Sequence, residues 1–185
     1  KGVTFESEGA VDGCIEFGMN DRTKTLIIKG SGKMRDYAPS RDNIKLLKYK
    51  ESTQRLFICE GLTSIWRYAF NAFSNLTSIV FPEGILYIGE RAFSGCTGLT
   101  SIVFPNSLIE IGEDAFVGCT NLESVSFQSY LYFMRKSAFC GCSRLSSINL
   151  ELVILIDKFA FYETSVSAPA FPSINSEFLI EIGEK

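Results

Sequence analysis

The feature that most constrains the fold of this chain is a 23-residue motif that recurs along most of its length. The segments that begin at Ile79, Ile102 and Val125 read IVFPEGILYIGERAFSGCTGLTS, IVFPNSLIEIGEDAFVGCTNLES and VSFQSYLYFMRKSAFCGCSRLSS. An upstream copy starts at Leu56 without a gap, and a downstream copy starts at Ile148 and lacks one residue before Ile156. Such a period predicts a solenoid, because one copy cannot close an apolar core around itself and must stack on its neighbours.

Each copy predicts a strand followed by a return along other sides of a coil. Ile102 and Phe104 lie two residues apart and share one face of the strand, with Val103 on the opposite face. A second apolar pair, Leu108 and Ile111, predicts the return, and the Ala-Phe pair that follows suits a short helical or 3-10 turn. Stacked parallel strands lie about 4.8 Å apart, so we expect equivalent phenylalanines to stack in an interior column.

The repeats divide the chain into two regions. Residues 56–185 hold five copies and a partial sixth, whereas residues 1–55 do not repeat. Within the first region, Val11–Phe17 and Thr25–Lys29 predict a β-hairpin that covers the first coil as an N-terminal cap, with an independent ligand-binding module as the alternative. The sequence stops inside a repeat, so we expect the natural chain to continue; otherwise Ser173–Phe178 or a second molecule covers the last coil.

The string L-x-x-I-x-F-P-x-x-L-x-x-I-G-x-x-A-F-x-G-C-x-x-L resembles the BspA-like leucine-rich-repeat family. Thr25–Tyr37 (TLIIKGSGKMRDY) also resembles the segment that precedes the repeats in that family. The resemblance implies an α/β-type leucine-rich-repeat solenoid of parallel strands with short helical or 3-10 turns. It also implies a cell-surface or secreted protein that adheres to host extracellular-matrix or cell-surface proteins.

The composition argues against catalysis, cofactors and nucleic acid. The chain has no histidine, which removes the commonest general acid/base and the commonest zinc ligand. It also lacks a Gly-rich phosphate loop and a nucleophile motif. Residues 56–185 carry seven Lys/Arg against thirteen Asp/Glu, which is unsuited to binding phosphates. No apolar run is long enough to insert into a bilayer. We therefore expect a non-enzyme without a cofactor or metal.

The cysteines predict core packing in preference to metal or disulfide chemistry. Cys96, Cys119 and Cys142 hold the same position in three successive copies and belong to one column, where the parallel Cα–Cβ vectors are poorly placed for a bridge. We expect them to be buried thiols. The Cys140-Gly141-Cys142 spacing is not that of a zinc site.

Three further sequence features each allow more than one interpretation. Cys14 and Cys59 could form a disulfide in an oxidising compartment. Asn75-Leu76-Thr77 is a glycosylation sequon that places Asn75 at a turn just before a strand. Glu113-Asp114 is an acidic pair, but equivalent positions alternate in sign, which favours a solvated face over an acid/base or calcium site.

Partner binding is expected on the outward strand positions, which form flat columns of small residues, including Pro82 and Pro105. The fourth copy adds surface aromatics; alternatively these pack on neighbouring coils, Tyr132 against Leu86 and Ile109. The candidate residues are Ser78, Val80, Ser101, Val103, Ser124, Ser126, Gln128, Asn149, Tyr130, Tyr132 and Phe133. The competing function is an assembly module that self-associates through its uncapped end, and the oligomeric state is left open.

Overall fold

In the computed structural model, the structure describes residues 3–8, 15–33 and 44–167. Its helical elements in these ranges are α1 (Ile44–Leu47) and a 3-10 turn at Leu150–Leu152. The strands are β1 (Phe5–Glu8), β2 (Ile15–Asn20), β3 (Thr25–Lys29), β4 (Gly32–Lys33), β5 (Arg55–Ile58), β6 (Leu62–Ile65), β7 (Ser78–Val80), β8 (Tyr87–Ile88), β9 (Ser101–Phe104), β10 (Glu110–Ile111), β11 (Ser124–Phe127), β12 (Leu131–Met134), β13 (Ser147–Ile148) and β14 (Val153–Ile156).

The repeats form a parallel-strand solenoid of about four turns, as the 23-residue period predicts. We call the side made by β5, β7, β9, β11 and β13 the first wall. This wall consists of two sheets: β5 and β7 pair with each other and continue the N-terminal strands, whereas β9, β11 and β13 form a separate sheet. Within each sheet the strands pair in the register of the repeat, with Ser124 opposite Ser101 and Phe127 opposite Phe104. The side made by β4, β6, β8, β10, β12 and β14 is the second wall, and its six strands form one continuous parallel sheet.

The third side, which we call the turn wall, is not helical. The residue before each Ala-Phe pair has a left-handed backbone, with φ of 52° to 61° at Tyr68, Arg91, Asp114, Ser137 and Phe159. The N–H groups of Tyr68, Phe70 and Ala72 donate to carbonyls of the next coil, at 2.9, 2.8 and 2.6 Å. The intervening N–H groups donate to nearby carbonyls earlier in their own coil. Alternate bonding within and between coils therefore replaces the expected helical turn.

The interior contains the expected phenylalanine column. Successive rings of Phe70, Phe93, Phe116, Phe139 and Phe161 lie 5.2 to 5.9 Å apart, with interplanar angles of 14° or less. A second column is formed by Phe81, Phe104 and Phe127, at 5.7 and 5.3 Å. All but Phe81 of these rings are buried. Each ring thus joins two coils by stacking in addition to removing apolar surface from water.

The N-terminal strands extend the solenoid at one end. Strands β1, β2 and β3 are antiparallel, and β3 then pairs in parallel with β5. Phe17 of β2 is buried and meets the Trp66 ring edge-on at 6.1 Å. The hairpin between β2 and β3 confirms the predicted pairing, although its first strand runs from Ile15 to Asn20. Residues 11–14 of the predicted strand and the partial sixth copy lie outside the described residues.

Tight stacking explains two recurrent glycines at the corner that follows the second wall. A Cβ on Gly89 would come within 2.7 Å of the Trp66 carbonyl carbon and the Arg67 nitrogen. A Cβ on Gly112 would meet the Gly89 and Glu90 backbone at 2.8 Å. These contacts are with backbone of the preceding coil, which cannot rotate away. The glycines are therefore explained by close approach of successive coils.

Candidate recognition surfaces

The first wall presents an exposed apolar column beside a column of serines. Val80 and Val103 are 51% and 57% exposed, and Phe57, which aligns with Val80 in the neighbouring strand, is 43% exposed. Ser78 and Ser101 are exposed, whereas Ser124 and Ser126 are half-buried. The structure thus brings the candidate serines and valines together on one wall. Phe57 was missed, although its place in the first copy is the one that Val80 fills in the second.

Two expectations for this wall are corrected. Pro82 and Pro105 are buried, so they do not continue the outward face. Asn149 is half-buried, and its side-chain amide accepts a hydrogen bond from the Phe127 N–H at 2.8 Å and donates one to the Phe127 carbonyl at 2.9 Å. This side chain replaces the ladder where β13 ends, because the copy that contains it has lost one residue. Asn149 therefore has a structural role that its column position did not indicate.

The aromatic residues of the fourth copy are divided between a loop and the second wall. Tyr130 is 60% exposed in the loop between β11 and β12, next to the exposed Gln128. Tyr132 and Phe133 lie on β12, with Tyr132 51% exposed and Phe133 half-buried. The flanking Leu131 and Met134 are buried in the core, as the repeat predicts.

Tyr132 and Phe133 belong to a larger outward surface of the second wall, which we call the apolar stripe. In β6, β8, β10 and β12, two outward residues lie between two buried ones; Leu86 and Tyr87, for example, lie between Ile85 and Ile88. Over four neighbouring strands the outward positions are mostly apolar. The stripe consists of Leu86, Tyr87, Ile109, Tyr132, Phe133 and Ile154.

An ion-paired ridge follows the C-terminal ends of the second-wall strands. Arg67 pairs with Glu90 at 2.6 Å, and Lys136 pairs with Glu113 at 3.3 Å. Both guanidinium contacts of Arg135 with Glu110 measure 2.9 Å. The hydrogen bond to Glu110 raises the pKa of Arg135. The alternating signs of equivalent positions thus produce pairs between coils, which supports the solvated-face interpretation of Glu113 and Asp114.

The Arg135 guanidinium also lies over the Phe133 ring, with its central carbon 4.6 Å from the ring centroid. An open cleft of about 380 Å³ lies along the ridge, and its lining includes Tyr87, Gly89 and Gly112. The cations that line this cleft, Arg67, Arg135 and Lys136, are each held by a carboxylate. Such pairs at the surface contribute little stability each, but they leave the ridge with little free positive charge.

The cysteine column consists of buried thiols, as predicted. The Sγ–H groups of Cys96, Cys119 and Cys142 donate to the carbonyls of Phe70, Phe93 and Phe116 at 3.2, 3.3 and 3.1 Å. Burial raises the pKa of Cys96 to about 12. A hydrogen bond with Cys119, together with burial, raises the pKa of Cys142 as well. Because the thiolate is the reactive and metal-binding form of cysteine, the raised pKa values of Cys96 and Cys142 favour a role in packing the core.

The structure also locates the sequon asparagine and one cysteine of the possible disulfide pair. Asn75 is exposed at the turn before β7, and its side-chain N–H donates to the Glu51 carbonyl at 2.9 Å. Asn121 makes the equivalent bond to Thr97, which makes these asparagines links between coils. Cys59 is a half-buried free thiol, and Cys14 lies outside the described residues. In residues 3–8, 15–33 and 44–167, no cluster of acidic or cysteine side chains could hold a metal ion. No helix in these ranges is long and apolar enough to cross a membrane.

Three solved structures are similar to this chain. A leucine-rich repeat protein from Eubacterium ventriosum is 18% identical over 83% of this chain and 44% of its own, with a TM-score of 0.58. The T. pallidum leucine-rich repeat protein is 20% identical over 97% of both chains, with a TM-score of 0.49. A leucine rich cell surface protein from Faecalibacterium prausnitzii is 14% identical over 80% of this chain and 55% of its own, with a TM-score of 0.36.

The first of these shows the same fold, and this chain spans less than half of its length. No curated protein matches the sequence. The family model for the BspA type leucine rich repeat region matches residues 63–181, in six copies. That match covers more than half of the sequence, and its residues 63–167 lie in the described coils. The chain belongs to the BspA-type leucine-rich-repeat family.

Proposed function

We propose that this chain is a non-catalytic recognition segment of a bacterial surface protein and that its first wall binds host extracellular-matrix or cell-surface proteins. Membership of a leucine-rich-repeat family supports the protein-binding part of this proposal. A secreted or surface-exposed location is part of the same proposal. Residues 1–55 act in it as the N-terminal cap, and residues 56–185 carry the recognition surface.

The observation that carries the proposal is the exposed column of Phe57, Val80 and Val103. Phe57 and Val80 lie opposite each other on the paired strands β5 and β7, and Val103 lies on β9, which belongs to the next sheet of the same wall. The sheets hold these side chains in place before a partner arrives. A rigid apolar surface loses little conformational entropy on binding. The neighbouring serines offer hydroxyl groups to the partner without the desolvation cost of charged residues.

Binding of the purified chain to a panel of matrix proteins tests this proposal. We expect Val80→Ser combined with Val103→Ser to weaken binding at least tenfold. The matched control is Val117→Ser, which makes the same replacement on the turn wall and leaves the first wall intact. Unchanged affinity in the double variant would show that the first wall is not the site. Light scattering over a wide concentration range distinguishes this proposal from the alternative of an assembly module. The apparent mass of a self-assembling module increases with concentration, whereas a recognition module stays monomeric.

A further inference from the structure

The second wall faces solvent with side chains of unusual character. One-sided sheets ordinarily alternate apolar residues inside with polar residues outside. In the first coil the outward positions follow this rule, with Thr63 and Ser64. In the next four strands they become the apolar stripe, except at Glu110, whose carboxylate is paired with Arg135. Tyr87, Tyr132 and Ile154 of the stripe are 38%, 51% and 48% exposed. Contiguous apolar surface of this kind marks an interaction site.

The geometry of the stripe selects the secondary structure of its partner. Its rows lie on parallel strands, so they repeat about every 4.8 Å along the solenoid axis. An α-helix presents the residues of one face about every 5 Å along its axis, since anchors recur each three to four residues at about 1.5 Å per residue. An extended peptide presents one face about every 6.6 Å and loses register within two rows. A helix lying across the strands matches all four rows.

The charged residues beside the stripe indicate the charge expected on the neighbouring side of that helix. Three carboxylates are exposed in the segments that lead into β6, β8 and β14: Glu60 and Glu83 lie in loops, and Glu151 lies in the 3-10 turn. Because these strands are parallel and in register, their N-terminal ends form one edge of the second wall. None of the loops leading into β6, β8, β10, β12 and β14 contains Lys or Arg. This edge is therefore acidic, whereas the opposite edge is the ion-paired ridge.

We infer that the apolar stripe docks one amphipathic α-helix of a partner protein, laid along the solenoid axis, with Lys or Arg residues over Glu60, Glu83 and Glu151. This inference rests on the proposed protein-recognition function but uses a different wall. The helix places apolar residues at i, i+3, i+7 and i+10 against Leu86, Ile109, Tyr132 and Ile154, because these positions recur at about the spacing of the rows. Four rows correspond to about three turns of helix.

The test uses designed peptides of about 18 residues, since shorter isolated helices are marginal in water. One peptide has a leucine stripe at helical spacing and a lysine flank. A second replaces the lysines with glutamates, and a third rearranges the first so that its leucines alternate with period two. Fluorescence anisotropy with the full 185-residue chain measures affinity, and circular dichroism measures helix formation. We expect the lysine-flanked helix to bind at least tenfold more tightly than either other peptide.

Two variants of the chain locate that binding. Tyr132→Ser combined with Ile154→Ser removes the two most exposed side chains of the stripe and is expected to weaken binding of the first peptide at least tenfold. Glu83→Lys combined with Glu151→Lys leaves the apolar surface intact and is expected to invert the preference between the lysine and glutamate flanks. Val80→Ser with Val103→Ser is the control on the first wall and leaves peptide binding unchanged. Retained thermal stability in each variant shows that the fold persists.

Equal binding of the three peptides, or no effect of Tyr132→Ser with Ile154→Ser, overturns the inference. Sedimentation velocity supplies a further outcome. If the wild-type chain self-associates and this pair of substitutions abolishes it, the stripe belongs to a second copy and the inference is wrong. The proposed function fails separately, when Val80→Ser with Val103→Ser leaves matrix-protein binding intact while the helical peptide still requires the stripe.

Discussion

Replacing two stacked phenylalanines by leucine measures how strongly neighbouring coils are coupled. The Phe93 and Phe116 rings are both fully buried, with centroids 5.2 Å apart and an interplanar angle of 6°. Leucine keeps an apolar side chain in the column, so each single replacement should lower the free energy of unfolding by on the order of 1–2 kcal/mol. The double replacement loses the ring-ring contact only once. We therefore expect a coupling free energy of about 0.5–1.5 kcal/mol.

Phe70 provides the matched control for this cycle. It belongs to the same column and is equally buried, but it lies two coils from Phe116, roughly 10 Å away at the strand spacing of a sheet. Coils in a solenoid interact with their nearest neighbours. We therefore expect the replacements at Phe70 and Phe116 to be additive within about 0.5 kcal/mol.

Urea denaturation of the four chains in each cycle gives these free energies. Trp66 fluorescence and circular dichroism should give coincident transitions, because a two-state analysis requires it. Equal coupling in the two pairs would contradict the nearest-neighbour description of the column. Absence of coupling between Phe93 and Phe116 would show that stacking adds nothing to the burial of these rings.

Three other perturbations test separate parts of the structure. Because burial raises the pKa of Cys96 from 9.0 to about 12, the folded chain retains this proton while the unfolded chain releases it. The free energy of unfolding therefore falls as pH rises from about 9 to about 12, by on the order of 4 kcal/mol at the limit, and this loss is smaller in Cys96→Ala. Asn149→Ala leaves the Phe127 backbone groups without their side-chain partner and should cost about 1–3 kcal/mol by denaturant titration; a neutral result would contradict the ladder-replacing role. Gly112→Ala brings a Cβ against fixed backbone, whereas Gly118→Ala has open space but a φ of +72°, so Gly112→Ala should lower the melting temperature further.

Much of the candidate site followed from the repeat, and part of it did not. The alternation within a strand places Val80 and Val103 outside, and the structure leaves both more than half exposed. The same alternation predicted Leu131 and Met134 in the core, where they are found. The prediction that Asn149 is a binding residue is wrong, because its position in the repeat does not reveal the missing residue that ends the ladder beside it. The sequence indicated an exposed apolar cluster only in the copy that contains Tyr132 and Phe133. The residue types of the stripe differ between copies, although equivalent positions face outward on the same wall.

The 23-residue motif by itself determined the solenoid, the register of its strands and the columns inside it. This is possible because each coil contacts mainly its neighbours, so a repeated sequence position becomes a repeated spatial position. The turn wall was decided by the tertiary structure. The backbone N–H groups of Tyr68 and Phe70 donate to carbonyls of the next coil. The local sequence around these residues does not predict hydrogen bonds to another coil. Which outward columns combine into a surface is likewise decided by the walls, because residues of five copies meet there only after the coils have stacked.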